Sequence, residues 1–435
     1  MKLGVTLVAA CVLTVAVLFL LGGKMQTGSS YYVDSNDSAA SDEGAGSKER
    51  PWKSLEAINS RSFAPGDTIH FAANSVYTGT VTISSSGNPG KPIVLTRYKD
   101  GNKPSFSNSG GLHALVLTGS YVRIDGLEFR DTAVIEHWNA SSYMESGAVL
   151  IQQEADHVTV TNSEFSGVGV GVKTYGLHTK ITGNHFHDLV IAYSDQEQSY
   201  GAIGVSLNHS NAEVSYNHFV NCRSTDSPYG ADGGAIEIEG YINDKSNIAI
   251  HHNVSSGSQG FIEVTETRAS QVAVYQNVSD DYQQFIAFDT TVTPSDFSVE
   301  HNTVVRTKTS NVTALFTVLF YREEGPEPED SWLNIRNNIF YTPAAKVLNG
   351  SYSYKSYNYP HSFNLFFDGT GDPVGYPLGQ GDLVGDPQFR SLEGGDFRLG
   401  AGSPAINAGT SLGYKRDIEG KRIKGKPDMG AYEYR

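Results

Sequence analysis

Apolar and polar residues alternate along short segments that recur through most of the chain. The shared pattern is apolar, any, apolar, any, any, Asn, any, apolar. An alternation with a period of two is typical of a strand with one buried face. An Asn after the strand accommodates a left-handed turn and hydrogen-bonds the neighbouring backbone. The clear copies end at Asn253, Asn277, Asn302 and Asn338, and looser copies end at Asn162, Asn184 and Asn217.

A second alternating segment precedes each of the later Asn segments. Its copies are residues 147–152, 169–174, 201–208, 234–240, 260–266, 284–290 and 314–320. One such coil cannot bury its apolar face alone, so successive coils must stack. The step between Asn positions varies from 22 residues (Asn162 to Asn184) to 36 residues (Asn302 to Asn338). A β-propeller needs a steadier period of about 40 residues. The pattern therefore predicts an all-β fold, a parallel β-helix, over a propeller or a β-sandwich.

The two ends of the chain differ from the repeating coils. Residues 51–58 begin with Pro and read as a short amphipathic helix that caps the first coil. Residues 383–435 lack the coil pattern and are predicted to form a C-terminal cap. The predicted domains are thus residues 1–30, the β-helix over 31–382, and the cap over 383–435.

The N-terminal 1–30 segment carries an uncharged apolar run from Leu3 to Gly23. That run is longer than the usual signal-peptide core of about 7–15 residues and close to the roughly 20 residues that span a bilayer. Both a signal peptide cleaved before Tyr31 and an N-terminal membrane tether stay open. Either one predicts a secreted, periplasmic or cell-surface protein.

The net charge indicates which classes of partner the protein can bind, and the cysteine content indicates whether a disulfide can stabilise the fold. The formal net charge of −15 argues against a nucleic-acid partner, and we expect none. It suits a neutral polysaccharide, or an acidic one bridged by a cation. Of the two cysteines, Cys11 lies in the apolar N-terminal run, so Cys222 has no partner within the body. The fold must hold without a disulfide, and we expect a monomer.

Three segments resemble the pectate-lyase-like superfamily of right-handed parallel β-helix proteins. They are Tyr31–Asp34 leading to Pro51–Leu55, then Gly119–Leu127, and finally the tail with its Asp428-Met429-Gly430 motif. The resemblance implies a single-stranded, right-handed parallel β-helix and extracellular work on carbohydrate. It does not imply one reaction, because this fold hosts lyases, hydrolases, epimerases and non-catalytic binding proteins.

Outward residues of the preceding segments can be aligned coil by coil. On this alignment one column reads Leu150, Gly171, Gly204, Glu237, Glu263, Ala287 and Thr317. The next column reads Gln152, Lys173, Ser206, Glu239, Thr265, Asp289 and Leu319. Polar and charged residues concentrate in the middle coils, which indicates a substrate groove.

Several residues around this groove are predicted to contact a polysaccharide. Lys173, Asn208 and Asp289 supply charged or amide groups. The flanking insertions carry aromatic rings that can stack on sugars or simply pack within loops: Tyr193, Tyr200 and Tyr229.

One hypothesis for the groove is a glycoside hydrolase without a cofactor. Glu237 and Glu263 fall on neighbouring coils, about 4.8 Å apart at the backbone, and retaining glycosidases hold their carboxyl pair at about 5–5.5 Å. Such proximity should raise one pKa. Glu239 and Asp289, at about twice the coil spacing, approximate an inverting pair, and Asp232 can also reach in. On this hypothesis Glu237→Gln abolishes turnover.

The second hypothesis is a Ca²⁺-dependent polysaccharide lyase acting on a uronate polymer such as alginate or a glycosaminoglycan. A lyase needs a base and a group that neutralises the uronate carboxylate. Asn208, Glu237 and Glu239 offer the oxygen ligands that Ca²⁺ prefers. Lys245, Lys173 or Arg268 would then be the base or the carboxylate clamp.

The lyase hypothesis rests partly on a resemblance to the chondroitinase B and alginate lyase family. In that family an Asn one coil back and a Glu-any-Glu pair hold calcium, and a Lys-Ser follows. The corresponding residues here are Asn208, Glu237-Ile238-Glu239 and Lys245-Ser246. The chain departs from the family in three ways: the segment before Lys245 is one residue longer, no Arg stands on the next strand, and the Asn-Gly opening motif is missing.

The acidic groove favours a hydrolase, with the lyase as the alternative. A non-catalytic glycan-binding surface protein is a third reading, and the acidic column then becomes a solvated face or a structural cation site.

Overall fold

The structure is a computed structural model. It describes residues 28–107, 111–131, 146–194, 199–227, 230–240, 244–290, 294–308, 314–320, 332–343, 346–348, 359–368 and 377–435. Within them lie three long parallel sheets, three antiparallel strand pairs and one helical turn. No helix among these residues is long and apolar enough to cross a membrane.

The first sheet has 12 strands. It is formed by the strands that carry the Asn pattern and by their counterparts in the earlier coils. In sheet order they are Ser30–Val33, Thr68–Ala72, Ile93–Tyr98, Val122–Asp125, Thr159–Thr161, Lys180–Thr182, Glu213–Ser215, Lys245–His251, Ala269–Tyr275, Ser295–Glu300, Leu333–Arg336 and His361–Ser362.

The second sheet has 10 strands and is built from the segments that precede the Asn strands. In chain order its strands are Val81–Ile83, Leu115–Leu117, Val149–Ile151, Val170–Thr174, Ile203–Leu207, Gly234–Glu239, Ile262–Thr265, Ile286–Thr290, Ala314–Phe320 and Lys346–Leu348.

The third sheet has 12 strands, most of which follow directly after the Asn turn. They are Val76–Thr78, Ser105–Ser107, Glu128–Arg130, Glu164–Ser166, His185–His187, His218–Val220, Val254–Ser256, Val278–Asp280, Thr303–Val305, Ile339–Tyr341, Leu365–Phe367 and Leu383–Val384.

Each successive coil adds one strand to each sheet, and all neighbours within these sheets are parallel. Ile248 pairs with Val272, which pairs with Phe297, as the spacing of the repeat predicts. The alternating apolar residues point into one continuous core, and a stack of phenylalanines fills one side of it. Phe129, Phe165, Phe186 and Phe219 follow one another with ring centroids 4.6–5.1 Å apart. The predicted parallel β-helix is confirmed.

The repeating Asn residues form a buried hydrogen-bonded ladder. Each side-chain Nδ2 donates to the Oδ1 of the next Asn at 3.0 Å. The ladder runs through Asn184, Asn217, Asn253, Asn277, Asn302, Asn338 and Asn364, and ends on Asp382.

Two details of the predicted Asn turn were wrong. Asn162 is not in the ladder, because Ser163 takes that position and donates its backbone N–H to Asn184 Oδ1 at 3.0 Å. The left-handed residue is the one before the ladder Asn, as at Tyr216 (φ 56°) and His252 (φ 56°). The Asn therefore stabilises the turn through its side chain, while its neighbour carries the backbone strain.

The N-terminal cap is shorter than the sequence predicts. The helix spans Glu56–Asn59, and its Ala57 and Ile58 are buried. Trp52 does not join it, because it forms a parallel bridge to Val33 and is buried beneath the segment that crosses the first coil. Trp52, predicted to lie in the helix, thus pairs with the first strand of the first sheet and covers its open edge.

The C-terminal segment packs along the side of the last coils. Phe389–Ser391 and Asp396–Leu399 form an antiparallel pair. Met429 and Ala405 bury against Ile339 and Leu365 of the third sheet. The predicted boundary at residue 383 stays a prediction, and Leu383–Val384 still pairs with the third sheet.

The two small strand pairs on the remaining insertions lie beside the second sheet's middle coils. Ile191–Ser194 pairs with Ser199–Gly201, and Ser224–Ser227 pairs with Gly230–Asp232. Each leads directly into a strand of the second sheet, so its residues are carried to the outward face of that sheet.

Candidate functional site

The outward face of the second sheet carries a column of polar residues on consecutive strands. Strand pairing places Leu150, Lys173, Ser206, Glu237, Glu263 and Ala287 in one register. Glu239, Thr265 and Asp289 share the next outward position. The predicted neighbours Glu237–Glu263 and Glu239–Thr265–Asp289 are therefore confirmed.

The predicted alignment of the two earlier coils was wrong by two residues. Lys173 and Ser206 lie in the column of Glu237, whereas Gly171 and Gly204 face the interior. A Cβ on Gly171 would lie 2.7 Å from the Phe186 ring. The pairing of Val170–Thr174 with Ile203–Leu207 skips Gly171 and Gly204, so the regular alternation assumed from the sequence breaks at these two glycines.

Lys173 is the centre of the hydrogen-bonded part of the site. Its side chain is only 2% exposed. The ammonium donates to Glu239 Oε1 at 2.8 Å and to the Tyr200 hydroxyl at 2.8 Å. The ring centroids of Tyr200 and Tyr175 lie 5.2 and 5.7 Å from Nζ, within the range of a cation–π contact. A buried ammonium requires such compensation.

Glu239 is held ionised by these donors. Its Oε1 accepts hydrogen bonds from Lys173, from Tyr200 at 3.0 Å and from the Ser206 hydroxyl. Burial acts to raise the pKa of Glu239, but the Lys173 ammonium and these hydrogen bonds lower it below its ordinary value. Asn208 Nδ2 donates to Ser206 Oγ at 2.8 Å and completes the network.

Glu237 and Glu263 have raised pKa values. Burial, followed by the charges of Glu239 and Glu263, raises the pKa of Glu237 well above its ordinary range. Burial, followed by Asp289 and Asp232, raises the pKa of Glu263 to about 7. The expected effect of crowded carboxyl groups is present, and both groups are available as proton donors.

The raised pKa of Glu263 predicts a pH-dependent stability. The carboxyl group binds its proton more tightly in the folded state, so stability is present below the ordinary pKa of 4.5 and is lost as pH rises toward 7. We expect the melting temperature to fall over that window, and Glu263→Gln to flatten the fall. Melting curves at a series of pH values test this, with Glu164→Gln as a matched control, because Lys103 and His187 lower the pKa of Glu164.

A cleft of about 250 Å³ opens beside Glu263. Its polar lining includes Asp232, Gln259, Gln284 and Asp289. Burial raises the pKa of Asp289, and Asp232 accepts the backbone N–H of Gly233 at 2.8 Å. The cleft thus gives the predicted groove a definite position, on the side of Glu237 away from Lys173.

Lys245 lies beside the turn at Gly240, which directly follows the strand that carries Glu237 and Glu239. It is buried and donates to the Gly240 carbonyl at 3.0 Å. Burial lowers the pKa of Lys245, although Asp244 and Glu239 act in the other direction. Gly240 has a φ of 102°, and a Cβ there would lie 2.8 Å from Asn208 Oδ1. The glycine lets Lys245 and Asn208 approach the same turn.

The remaining predicted residues divide between the surface and the part of the chain that is not described. Arg268 is exposed and pairs with Asp244 at 3.4 Å, outside the hydrogen-bonded group. The Tyr193 side chain and Tyr229 lie outside the described residues. Ser206 and Tyr175 belong to the site but were not predicted as site residues; the outward position of Ser206 in a polar column was the available signal.

Two groups of acidic and histidine side chains lie on other faces: Asp156, His157 and His178, and Glu164, His185 and His187. They are already engaged. His178 contacts Asp156 at 2.8 Å, and Lys103 donates to Glu164 at 2.9 Å. Neither group lines the cleft at Glu263.

The chondroitinase B family model matches residues 54–288. The match spans 235 of the 435 residues (288 − 54 + 1), more than half of the chain. The chain belongs to the chondroitinase B family. Every residue from Lys173 to Arg268 that is discussed above lies within the match, and Asp289 falls one residue beyond it.

Solved structures of other proteins agree with this fold. The pectate lyase Pel9A is 16% identical, covers 94% of this chain over 97% of its own, and superposes with a TM-score of 0.63. XylC in complex with xylose is 10% identical, covers 93% and 98%, and also has a TM-score of 0.63. These likenesses support the right-handed parallel β-helix. No curated protein matches.

Membership in the chondroitinase B family confirms the predicted superfamily and the prediction of a carbohydrate-active enzyme, a lyase or a hydrolase. A polysaccharide substrate is the corresponding partner. Oligomeric state, the membrane tether and the extracellular location stay predictions.

The family resemblance implies calcium, and the present residues fit it poorly. Asn208, Glu237 and Glu239 do bring three oxygen-bearing side chains together. However, the Lys173 ammonium already lies 2.8 Å from Glu239 Oε1, and that oxygen accepts two further hydrogen bonds. A second cation there would be repelled by the first in a site of low exposure.

Proposed function

We propose that the protein is a polysaccharide lyase that cleaves a uronate-containing polymer by β-elimination at the Glu237–Glu263 face. The observation that carries the proposal is the buried Lys245 amine at the Gly240 turn, beside Asn208 and the Glu237-Ile238-Glu239 strand, within a chondroitinase B family match.

Lys245 is the proposed base. Burial favours its neutral form, and a neutral amine can take the proton α to the uronate carboxylate. The electron pair left behind forms a carbon–carbon double bond while the glycosidic C–O bond at the β carbon breaks. The departing oxygen needs a proton, and Glu263, whose pKa is about 7, can supply it from the cleft.

The uronate carboxylate must be stabilised as charge builds up next to it. Burial and the charge of Glu239 favour the protonated form of Glu237 by raising its pKa, and in that form it can donate a hydrogen bond to that carboxylate. The Lys173 ammonium offsets the negative charge of Glu239 on the same face. Glu237 therefore supplies the hydrogen-bond donor, and the ion pair keeps Glu239 from repelling the substrate carboxylate.

The electrostatics weigh against a hydrolase that uses the same carboxylates. A retaining enzyme needs one ionised nucleophile beside one acid, but burial raises the pKa of both Glu237 and Glu263, so below pH 7 neither carboxyl group is mainly ionised. Glu239 is ionised, yet its Oε1 accepts three hydrogen bonds and its side chain is 7% exposed. The register of Glu237 and Glu263 keeps hydrolysis as the second candidate.

The two reactions leave different products. We expect incubation with uronate polymers, including alginate, polygalacturonate and glycosaminoglycans, to raise ultraviolet absorbance through the new double bond. Reducing ends without that absorbance would contradict the lyase and support the hydrolase. Neither signal across a panel that also contains neutral glycans would support a non-catalytic binder.

Glu237→Gln separates the two candidate reactions. In the lyase the side chain acts as a neutral hydrogen-bond donor, which an amide retains, so we expect the rate to fall by no more than about 10-fold, the equivalent of about one hydrogen bond. In the hydrolase Glu237 exchanges a proton or attacks the sugar, and the same change removes the reaction. Initial rates of the purified variant, with Glu164→Gln outside the cleft as the control, give the comparison.

A further inference from the structure

Lys173 carries a buried positive charge in the group of residues that the family resemblance assigns to a metal. Its side chain is 2% exposed and that of Glu239 is 7% exposed. A charge that is removed from water remains ionised only when an opposite charge and hydrogen bonds compensate it. Lys173 has both, through Glu239 and Tyr200.

The position of Lys173 explains why it reaches Glu239. Lys173, Ser206 and Glu237 occupy one register on three successive strands, and Glu239 lies two residues farther along the third. The lysine side chain crosses the small Ser206 to meet Glu239. The Ser206 hydroxyl donates a hydrogen bond to Glu239 and accepts one from Asn208. One hydrogen-bonded network therefore joins the Lys173 ammonium to Glu239 and Asn208, two of the three proposed calcium ligands.

A divalent ion cannot share this arrangement at little cost. Calcium binds carboxylate oxygens at about 2.3–2.6 Å, which would place it close to an ammonium that is 2.8 Å from Glu239 Oε1. The repulsion would act where water screens it weakly. The rings of Tyr175 and Tyr200 lie beside Lys173 Nζ and keep the ammonium next to Glu239.

We propose that the Lys173 ammonium takes the place of the divalent cation at this site, so that the protein binds no Ca²⁺ there and needs none. This inference deepens the proposed function, on which it rests for the role of the charge beside the substrate. The internal cation neutralises Glu239 and holds Tyr200 and Ser206 around that carboxylate. The ligand set of the family is kept in part, with a different cation at its centre.

The unmodified protein provides the first test. We expect its melting temperature to be the same in EDTA and in millimolar Ca²⁺, and calorimetric titration with Ca²⁺ to show no binding that depends on Glu239. The matched variant is Glu239→Gln, which removes the charge that any ion here would need. A Ca²⁺-dependent rise in melting temperature that disappears in Glu239→Gln would overturn the proposal.

A second test empties the place of the ammonium. Lys173→Ala leaves Glu239 and Glu237 with space for an ion, so we expect its melting temperature to drop and to recover in part with Ca²⁺. Lys173→Ala/Glu239→Gln should not respond. If Lys173→Ala is as indifferent to Ca²⁺ as the unmodified protein, the idea that one cation replaces another is wrong. Should that variant fail to fold, the first test still decides.

Lys180→Met is the matched control for the loss of a lysine–glutamate pair. Lys180 contacts Glu213 at 2.9 Å between neighbouring coils, but the two side chains are 46% and 32% exposed. We expect no Ca²⁺ response and little change in melting temperature.

The ultraviolet assay in EDTA adds an independent readout. A rate that survives chelation agrees with both proposals. A protein that is inactive on every uronate polymer contradicts the proposed lyase, while the melting tests of the Ca²⁺ proposal stay valid.

Discussion

Replacing Lys245 by methionine is expected to lower the lyase rate by at least about 100-fold, since a positioned acid or base contributes roughly 10²–10⁴-fold. Methionine retains much of the apolar stem that is buried beside Gly240 but has no nitrogen to accept a proton. Burial already lowers the pKa of Lys245, so the loss of the amine should affect turnover more than folding. Initial rates from ultraviolet absorbance and a melting curve of the same sample give both quantities.

Two matched variants show whether the effect belongs to the amine. Lys180→Met removes an exposed lysine on another sheet, and Arg268→Ala removes another of the predicted candidates for the base, which is exposed and paired with Asp244. Both should retain nearly full rates. A Lys245→Met protein as active as these two would show that another group takes the proton. A rate loss in Arg268→Ala would instead support Arg268 as the base or the carboxylate clamp.

The second large effect concerns stability, at the Asn ladder. Asn277 is fully buried. Its Oδ1 accepts from the backbone and side chain of Asn253, and its Nδ2 donates to the Ile250 carbonyl and to Asn302. We expect Asn277→Ala to reduce the free energy of unfolding by about 3 kcal/mol or more, because several buried polar groups lose a partner at about 1–3 kcal/mol each.

Denaturant titration measures this loss, and Asn102→Ala is the control. Asn102 is exposed on a turn, so its replacement should stay within about 0.5 kcal/mol of the unmodified protein. If Asn277→Ala were equally mild, the ladder would be a consequence of the stacked turns and not a source of their stability.

The fold was predictable because its signals are local and repeated. Apolar alternation defines the buried face of each strand, and a buried Asn recurs between the first-sheet and third-sheet strands of the later coils. Each copy of the pattern reinforces the others, since stacking is the only way to bury all of them. The terminal helix was less predictable, because Trp52 gains more from a bridge to Val33 and burial under its own segment than from a helical turn.

The candidate site was predictable only in part. The pairing of Glu237 with Glu263 follows from two clear repeats with little insertion between them. Lys173 was assigned to the column of Glu239 but lies in that of Glu237, and only the pairing of Lys173 with Ser206 and of Ser206 with Glu237 shows the two-residue slip. The contact of Lys173 with Glu239 crosses two coils, and no spacing in the sequence announces it.

By itself, the sequence determined that this protein is a stack of parallel coils with acidic residues on the outward side of its middle turns, because period-two burial and a recurring Asn are properties of each segment. Only the tertiary structure decided which of those acids are charged. Protonation depends on burial and on what lies a few ångströms away in space: the Lys173 ammonium beside Glu239, and other carboxyl groups beside Glu237 and Glu263. Apart from Glu239, which is on the same strand as Glu237, those neighbours come from different coils, brought together by the register of the stack.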